Sequence, residues 1–315
     1  MFRALMVVFA VLMALPAHAE YPGKPIRLIV PFAAGGGADA LARAVAHGMS
    51  IALRQSVVVD SKPGGDSVIG TNYVAKAPPD GYTILFGSNT GMSGAPALHK
   101  DVPYDAVRDF TPISMIGMFP YFLVVNNELP VRTLRELVDY ARANPGKLNY
   151  ASGNAMGIVA TGQLVAVNKL DMVHVPYKGE APAMPDLLSN RVQFIFTTGF
   201  IVPHVKEGRV RAIAAVLDER NDALPNVPTV AESGFPGLSM RGWAAVFGPP
   251  GLPPAITQKL SWAVNEALRM QSVKDQLAVQ GFPGKGSTPA ELGSFTRVQL
   301  KSWADAVKAA GIQPD

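Results

Sequence analysis

The residues in this chain best suited to chemistry are Phe32-Ala33-Ala34-Gly35-Gly36-Gly37 and Asp39. Three consecutive glycines leave the backbone without Cβ atoms, so amide N–H groups can approach a bound group closely. The stretch lies between a run of strand formers, Ile26 to Val30, and an apolar repeat, Leu41, Val45 and Met49, that marks a helix. Pro31 cannot donate to a ladder and ends the strand. A helix beginning at this loop presents unpaired N–H groups and a partial positive charge, which suits an anion. Asp39 in its first turn either faces that anion or, in the simpler role, caps the helix, where the dipole stabilises its charge. A second polar loop, Gly87-Ser88-Asn89-Thr90-Gly91, supplies hydroxyl and amide donors.

The same glycines admit another chemistry. Gly35-x-Gly37-x-x-Ala40 after a strand fits the dinucleotide fingerprint, and Asp60 supplies the acidic residue about 20 positions on. A lone glycine pattern is a weak signal, so a nucleotide-dependent oxidoreductase stands as a remote alternative. Hydrolytic machinery is missing, with no G-x-S-x-G elbow and no H-E-x-x-H. His47, His99, His174 and His204 lack metal-ligand spacing, and His47 reads as a surface or core residue of its helix. The expectation is therefore binding without catalytic residues, metal or cofactor. Four hydrogen bonds to a carboxylate, at about 1.5–3 kcal/mol each, exceed an association cost of about 4 kcal/mol or more. Dissociation constants in the micromolar range are then within reach.

Positioning these loops requires alternating elements. Ser56 to Val59 reads as a second strand, Asp66 to Lys76 as a helix and Tyr82 to Phe86 as a third strand. Such βαβ units imply a parallel sheet with ligands bound beyond the carboxyl ends of its strands, where both loops lie. Strands over 112–118 and 122–125 follow, and then the rhythm restarts. Thr133-Leu134-Arg135-Glu136 is a capping box, and strands over 148–151, 173–175, 192–196 and 210–216 alternate with helices over 156–168 and 182–188. Beyond Gly242 come one short strand, Trp243 to Phe247, and helices only, one opened by the capping box Thr288-Pro289-Ala290-Glu291. Leu292, Phe295, Trp303 and Val307 give that helix a face to bury. Helices without strands cannot build a third sheet, so they pack back on the first domain. The chain then crosses twice, near 120–126 and 238–246, which makes a hinge around a cleft. The fold class is α/β, two doubly wound sheets joined by two crossing strands. Residues 20–121 form the first segment of one domain, 122–239 the other, and 240–315 the return strand and closing helices. Trp262 and Trp303 are assigned to core, as is Trp243, for which a place in the cleft is the alternative.

Met1 to Arg3 is a short n-region made basic by Arg3, Ala4 to Leu15 is apolar, and Ala17-His18-Ala19 is an A-x-A site. This is a secretory signal peptide cleaved after Ala19, its apolar run shorter than the roughly 20 residues of a span. The chain has no cysteine, which removes thiolate metal sites, thiol nucleophiles and N-terminal lipidation, and the periplasm is the expected compartment. The 28 Lys and Arg against 24 Asp and Glu are scattered, without the clustering that nucleic acid requires.

Five blocks together carry a family resemblance: YPGKPIRLIVPFAAGGGADALAR (21–43), APPDGYTILFGS (77–88), PYDAVRDFTPIS (103–114), HVPYKGEAPAMPDLL (174–188) and LPNVPTVAESGFPG (224–237). The chain resembles the Bug-type receptors of the TctC family, the extracytoplasmic subunits of tripartite tricarboxylate transporters. The resemblance implies a two-domain Venus-flytrap fold. It also implies a small mono-, di- or tricarboxylate clamped between the 31–39 loop and a 152–157 loop, held largely by backbone groups and bridging waters. Ser88, Asn89 and Thr90 then add donors, and Ser152, Gly153, Asn154, Ala155 and Met156 form the opposing jaw. The implied partners are the permease subunits in the membrane, served by a monomeric receptor; a periplasmic sensor feeding a two-component kinase is the alternative. Departures fall in the second jaw. The family's S-G-N-G-[ST] reads Ser152-Gly153-Asn154-Ala155-Met156, with Val159 where a histidine is usual and Gln163 in place of a glutamate. Thr197 stands for an aspartate, and Ser61 for an asparagine after the second strand. These changes imply a ligand with an ordinary carboxylate at one end and a more apolar, aromatic or amino-acid-like remainder.

Overall fold

The computed structural model describes residues 21–217, 219–236 and 241–314. The expected signal peptide, with its cleavage point after Ala19, lies outside them, as does part of the second crossing. In chain order the strands are β1 (Ile26–Val30), β2 (Val57–Ser61), β3 (Thr83–Ser88), β4 (Thr111–Phe119), β5 (Tyr121–Asn126), β6 (Asn149–Ser152), β7 (Val173–Pro176), β8 (Phe194–Thr198), β9 (Val210–Ala215) and β10 (Gly242–Gly248). The helices are α1 (Gly37–Leu53), α2 (Val68–Ala75), α3 (Ala95–Leu98), α4 (Leu134–Ala143), α5 (Ala155–Asn168), α6 (Met184–Leu188), α7 (Val202–Lys206), α8 (Pro254–Arg269), α9 (Gln271–Ala278) and α10 (Pro289–Ala309).

The strands form two five-stranded sheets, β2-β1-β3-β10-β4 and β7-β6-β8-β5-β9. Each contains a parallel trio of the kind βαβ units build: β1 pairs parallel with β2 and β3, and β6 with β7 and β8. Each also contains antiparallel pairing, β10 with β3 and β4 in one sheet and β5 with β8 and β9 in the other. The sheets are therefore mixed where the rhythm predicted parallel ones. The reversed strands include those that carry the chain between sheets: β4 leaves the first, β5 enters the second, and only Pro120 separates them. Proline there suits a crossing, since no ladder hydrogen bond is needed from it.

Both faces of the first sheet are covered. Ile26, Leu28 and Val30 of β1 pack with Leu41, Val45 and Met49 of α1 and with α8, while Ile29 joins Leu85, Trp243, Phe247 and Leu292 on the other side. This period-two alternation with both faces apolar is what a strand buried between helix layers needs. The C-terminal helices return to the first sheet: α8 and α9 pack on α1, and α10 lies on β4 and on the turn at Thr90–Gly94. Trp303 and Trp243 are core, but Trp262 is 46% exposed. Leu260, Ala263, Val264 and Ala267 form the buried stripe of α8, and residue 262 falls on the opposite side of a 3.6-residue turn. The capping box at Thr288 is complete. The one expected at Thr133 is half formed: Thr133 Oγ1 accepts from Glu136 N, but the Glu136 carboxylate takes the Arg132 N–H, one residue too early.

Candidate functional site

β1 delivers the 31–39 loop to the edge facing the second sheet. Gly35 adopts φ +83°, a conformation that favours glycine. Asp39 fastens the turn: its Oδ2 accepts from Gly35 N at 3.0 Å and from Arg43 Nε at 2.9 Å. Asp39 thus holds the residue before the N-cap, Gly36, rather than capping the helix itself. Gly36 caps α1 without any side-chain acceptor, so the N–H groups of the first turn stay open toward the cleft. A Cβ on Gly37 would lie 2.4 Å from Thr198 Oγ1 and 3.0 Å from Gln280 Oε1. Glycine is required here because the second sheet approaches the helix start that closely.

The Gly87–Gly91 stretch, expected as a loop, is regular. Gly87 and Ser88 finish β3, and Thr90–Gly94 is a single π-helical turn, a form often found at functional sites. Ser88, Asn89 and Thr90 are buried. Asn89 Oδ1 accepts from Trp243 N at 3.0 Å, which ties the turn to the returning strand. Among the described residues Ser88 Oγ and Asn89 Nδ2 make no hydrogen bond of normal geometry, although the Asn89 side chain lies beside the Tyr121 hydroxyl and favours its charged form. Buried polar groups normally make one, so these two are set for a bound group.

On the opposing side β6 ends at Ser152, whose Oγ is hydrogen-bonded to His174 Nε2 at 2.6 Å. Burial lowers the His174 pKa. Asn154 caps α5, its Oδ1 accepting from Gly157 N at 2.9 Å, and its Nδ2 donates to Glu180 Oε1 at 3.1 Å. Glu180 also accepts from Thr198 N at 2.7 Å and Thr198 Oγ1 at 2.5 Å. Burial raises the Glu180 pKa, opposed by the donors of Thr198 and Asn154. Burial likewise pushes the Tyr121 hydroxyl well above its usual value, with the neighbouring Glu180 charge adding to it.

These residues enclose a chamber of about 20 Å³ lined by Phe32, Ala33, Gly36, Gly37, Ser88, Asn89, Thr90, Gly153 and Asn154 of the expected set. An outer cavity of about 320 Å³ shares Phe32, Thr90, Gly153, Asn154 and Gly179 with it and extends past Asp66, Ser67, Tyr177 and Lys178. The jaws touch: a Cβ on Gly179 would sit 3.5 Å from Ala33 Cβ. Ala34, Gly35, Asp39, Ser152, Ala155, Met156 and Thr197 line neither cavity. Ala155 and Met156 are fully buried in the first turn of α5, and Val159 one turn on is buried with them. Thr198 pairs with Tyr121 and lines the chamber, while Thr197 stands behind the lining with its hydroxyl beside the Glu180 carboxylate. The departures at Ala155, Met156, Val159 and Thr197 therefore do not themselves line either cavity, whose apolar surface comes from Phe32, Phe119 and Tyr121. Phe119, Tyr121, Gly179, Glu180 and Thr198 line the inner chamber and were not anticipated. Their one sequence signal was the Tyr177-Lys178-Gly179-Glu180 segment within the 174–188 block. Asp60, the acid of the dinucleotide fingerprint, is paired with Arg27 at the sheet edge.

Residues 41–312 match the model of the tripartite tricarboxylate transporter family receptor, TctC. Protein BugT of Bordetella pertussis is 35% identical over 306 residues, covering 95% of this chain and 93% of BugT. The solved periplasmic binding protein BugD superposes with a TM-score of 0.89 at 32% identity, covering 93% of this chain and 99% of BugD. The R. palustris protein Rpa4515, solved with adipate, superposes with a TM-score of 0.90 at 32% identity, covering 94% of this chain and all of that one, 100%. A two-sheet clamp with donors converging between its halves, and a match that runs through both of them, have one common reading: this chain belongs to the TctC family and is a Bug-type solute-binding protein.

Proposed function

We propose that this protein is a periplasmic receptor that captures a small carboxylate between the 31–39 loop and the Gly153–Asn154 jaw, closes on it, and delivers it to the permease of a tripartite tricarboxylate transporter. The observation that carries this reading is the convergence of open N–H groups at the start of α1 with Ser88 Oγ and Asn89 Nδ2, which make no normal hydrogen bond among the described residues. All are donors, they face one chamber, and no Lys or Arg side chain lines it. Such a set recognises an anion by hydrogen bonds to charge, each contributing about 1.5–3 kcal/mol. The adipate held by Rpa4515 is a carboxylate of the size this cleft suits. Closure needs only a higher affinity of the ligand for the closed state, and no chemical step. In the same proposal the signal peptide is cleaved after Ala19, the domains divide at 121/122 and 239/240, and the receptor acts as a monomer.

The test is isothermal titration of the purified mature chain against mono-, di- and tricarboxylates, with the Ser88→Ala and Asn89→Ala variants beside it. Binding of at least one carboxylate, weakened about tenfold in each variant, supports the proposal. A folded protein that binds none of them, or binds them unchanged in both variants, refutes it.

A further inference from the structure

Among the described residues Glu180 is the only acidic side chain on the inner chamber, which also receives the start of α1. It is 7% exposed. Its shell consists of three neutral donors: Thr198 N and Asn154 Nδ2 on Oε1, and Thr198 Oγ1 on Oε2. These donors favour the acceptor-only, ionised form, against the burial that disfavours it. Among the described residues no Lys, Arg or His forms an ion pair with it. A buried charge without a counter-charge is costly, and a bound cation would relieve that cost.

We propose that Glu180 sets the specificity of this receptor, selecting ligands that carry a positively charged, N–H-bearing nitrogen beside their carboxylate. The inference rests on the carboxylate reading of the same cleft and adds a second pole to it. A carboxylate offers about four acceptor positions. Hydrogen bonds from Thr198 and Asn154 take three and the Thr197 hydroxyl stands beside the group, so Glu180 acts on a ligand nitrogen chiefly through its charge. Phe32, Phe119 and Tyr121 line the same chamber, and aromatic faces attract a cation independently of the carboxylate. Two separate features, a lone carboxylate and three aromatic rings, thus favour the same charge. The N–H groups of α1, on the same lining, favour the opposite charge. A ligand with both poles satisfies both sides. A plain dicarboxylate would instead set its second negative charge against Glu180, a repulsion strengthened by the low dielectric of a closed cleft.

Glu180 acts through charge in this reading, which Glu180→Gln removes while keeping volume and the acceptor for Thr198 N. The experiment is titration of wild type and Glu180→Gln with matched probes: succinate against aspartate, glutarate against glutamate, and butyrate against 4-aminobutyrate. In wild type at least one ammonium-bearing member binds about tenfold or more tighter than its partner, the fold-change expected of one charge-assisted hydrogen bond. Glu180→Gln weakens that member by a similar factor and leaves the partner unchanged or tighter. If the unsubstituted acids bind wild type as tightly or more tightly, Glu180 is not a cation site and the inference fails while the carboxylate reading stands. The same holds if Glu180→Gln shifts both members of a pair equally. If no probe binds folded wild type, both readings fail together. The wild-type comparison needs no variant, so a poorly folding Glu180→Gln leaves the inference open to refutation.

Discussion

Ala155 packs against Gly94, so that a Cβ built on Gly94 would lie 2.5 Å from Ala155 Cβ and 3.1 Å from Trp303 Cζ3. The contact joins the π-helical turn of the first sheet to the helix start of the second. Ala155, one of the departures from the family pattern, therefore meets the opposite jaw and lines neither cavity. Gly94→Ala overpacks this seam by about 1–3 kcal/mol. If the strain falls only on the closed state, affinity drops by roughly 5- to 150-fold. Adding Ala155→Gly restores most of it, and titration of the two single variants and the double closes the cycle. Additive losses would show that the two residues are not coupled.

Gly37 gives a second seam. Gly37→Ala brings a methyl group within 2.4 Å of Thr198 Oγ1, across the mouth of the chamber. In an isolated helix start the substitution would be close to neutral, so thermal stability should change little. Ligand affinity should fall by about tenfold or more, and small-angle scattering in the presence of ligand should report a larger radius of gyration than wild type. Unchanged affinity would mean that the jaws do not approach this closely around a ligand.

Much of this was legible before any coordinates. β1 and α1 are written in local periods, two and 3.6, which Ile26, Leu28, Val30 and Leu41, Val45, Met49 follow without interruption. A third of the chamber lining, Phe32, Ala33, Gly36, Gly37 and Ala38, follows from the glycine loop between those two elements. What was not legible is non-local. A single glutamate in a loop carries no signal until Thr198, 18 positions on, and Asn154, 26 positions back, close around it. Ala155 and Met156 could be recognised as unusual, but which surface they meet depends on how the two sheets come together. Trp262 was misread because an apolar ring was weighed above its position on the helix, where it lies under Lys259 Nζ at 5.6 Å.

Asp39 and Arg43 form an ion pair whose members are of unequal weight. The Asp39 side chain is 6% exposed and the Arg43 side chain 56%. Asp39→Ala removes the acceptor for Gly35 N and a negative charge from the first turn of α1, and should cost about 1–2 kcal/mol in urea unfolding. Arg43→Ala loses an exposed pair only, at about 0–1 kcal/mol. Equal losses would show that the loop is held by the ion pair and not by the Gly35 bond.

Glu180 also predicts a pH dependence of stability. Burial raises its pKa above the usual 4.5, so the folded protein binds this proton more tightly than the unfolded chain. Unfolding then releases a proton between the two values, and the contribution of Glu180 to stability falls as pH rises through that window. Below 4.5 the group is protonated in both states and costs nothing; above the raised value the folded state carries the full penalty of a buried charge. Glu180→Gln has no such penalty. Its melting temperature without ligand should therefore exceed that of wild type at neutral pH, and the gap should close as pH falls toward 4.5. Other carboxylates titrate over the same range, but they do so in both proteins, so the difference isolates Glu180. An ammonium-bearing ligand should reverse the order at neutral pH by supplying the missing counter-charge to wild type alone. A variant that melts below wild type at every pH, with and without such a ligand, would show that the carboxylate serves only to tie Thr198 to Asn154.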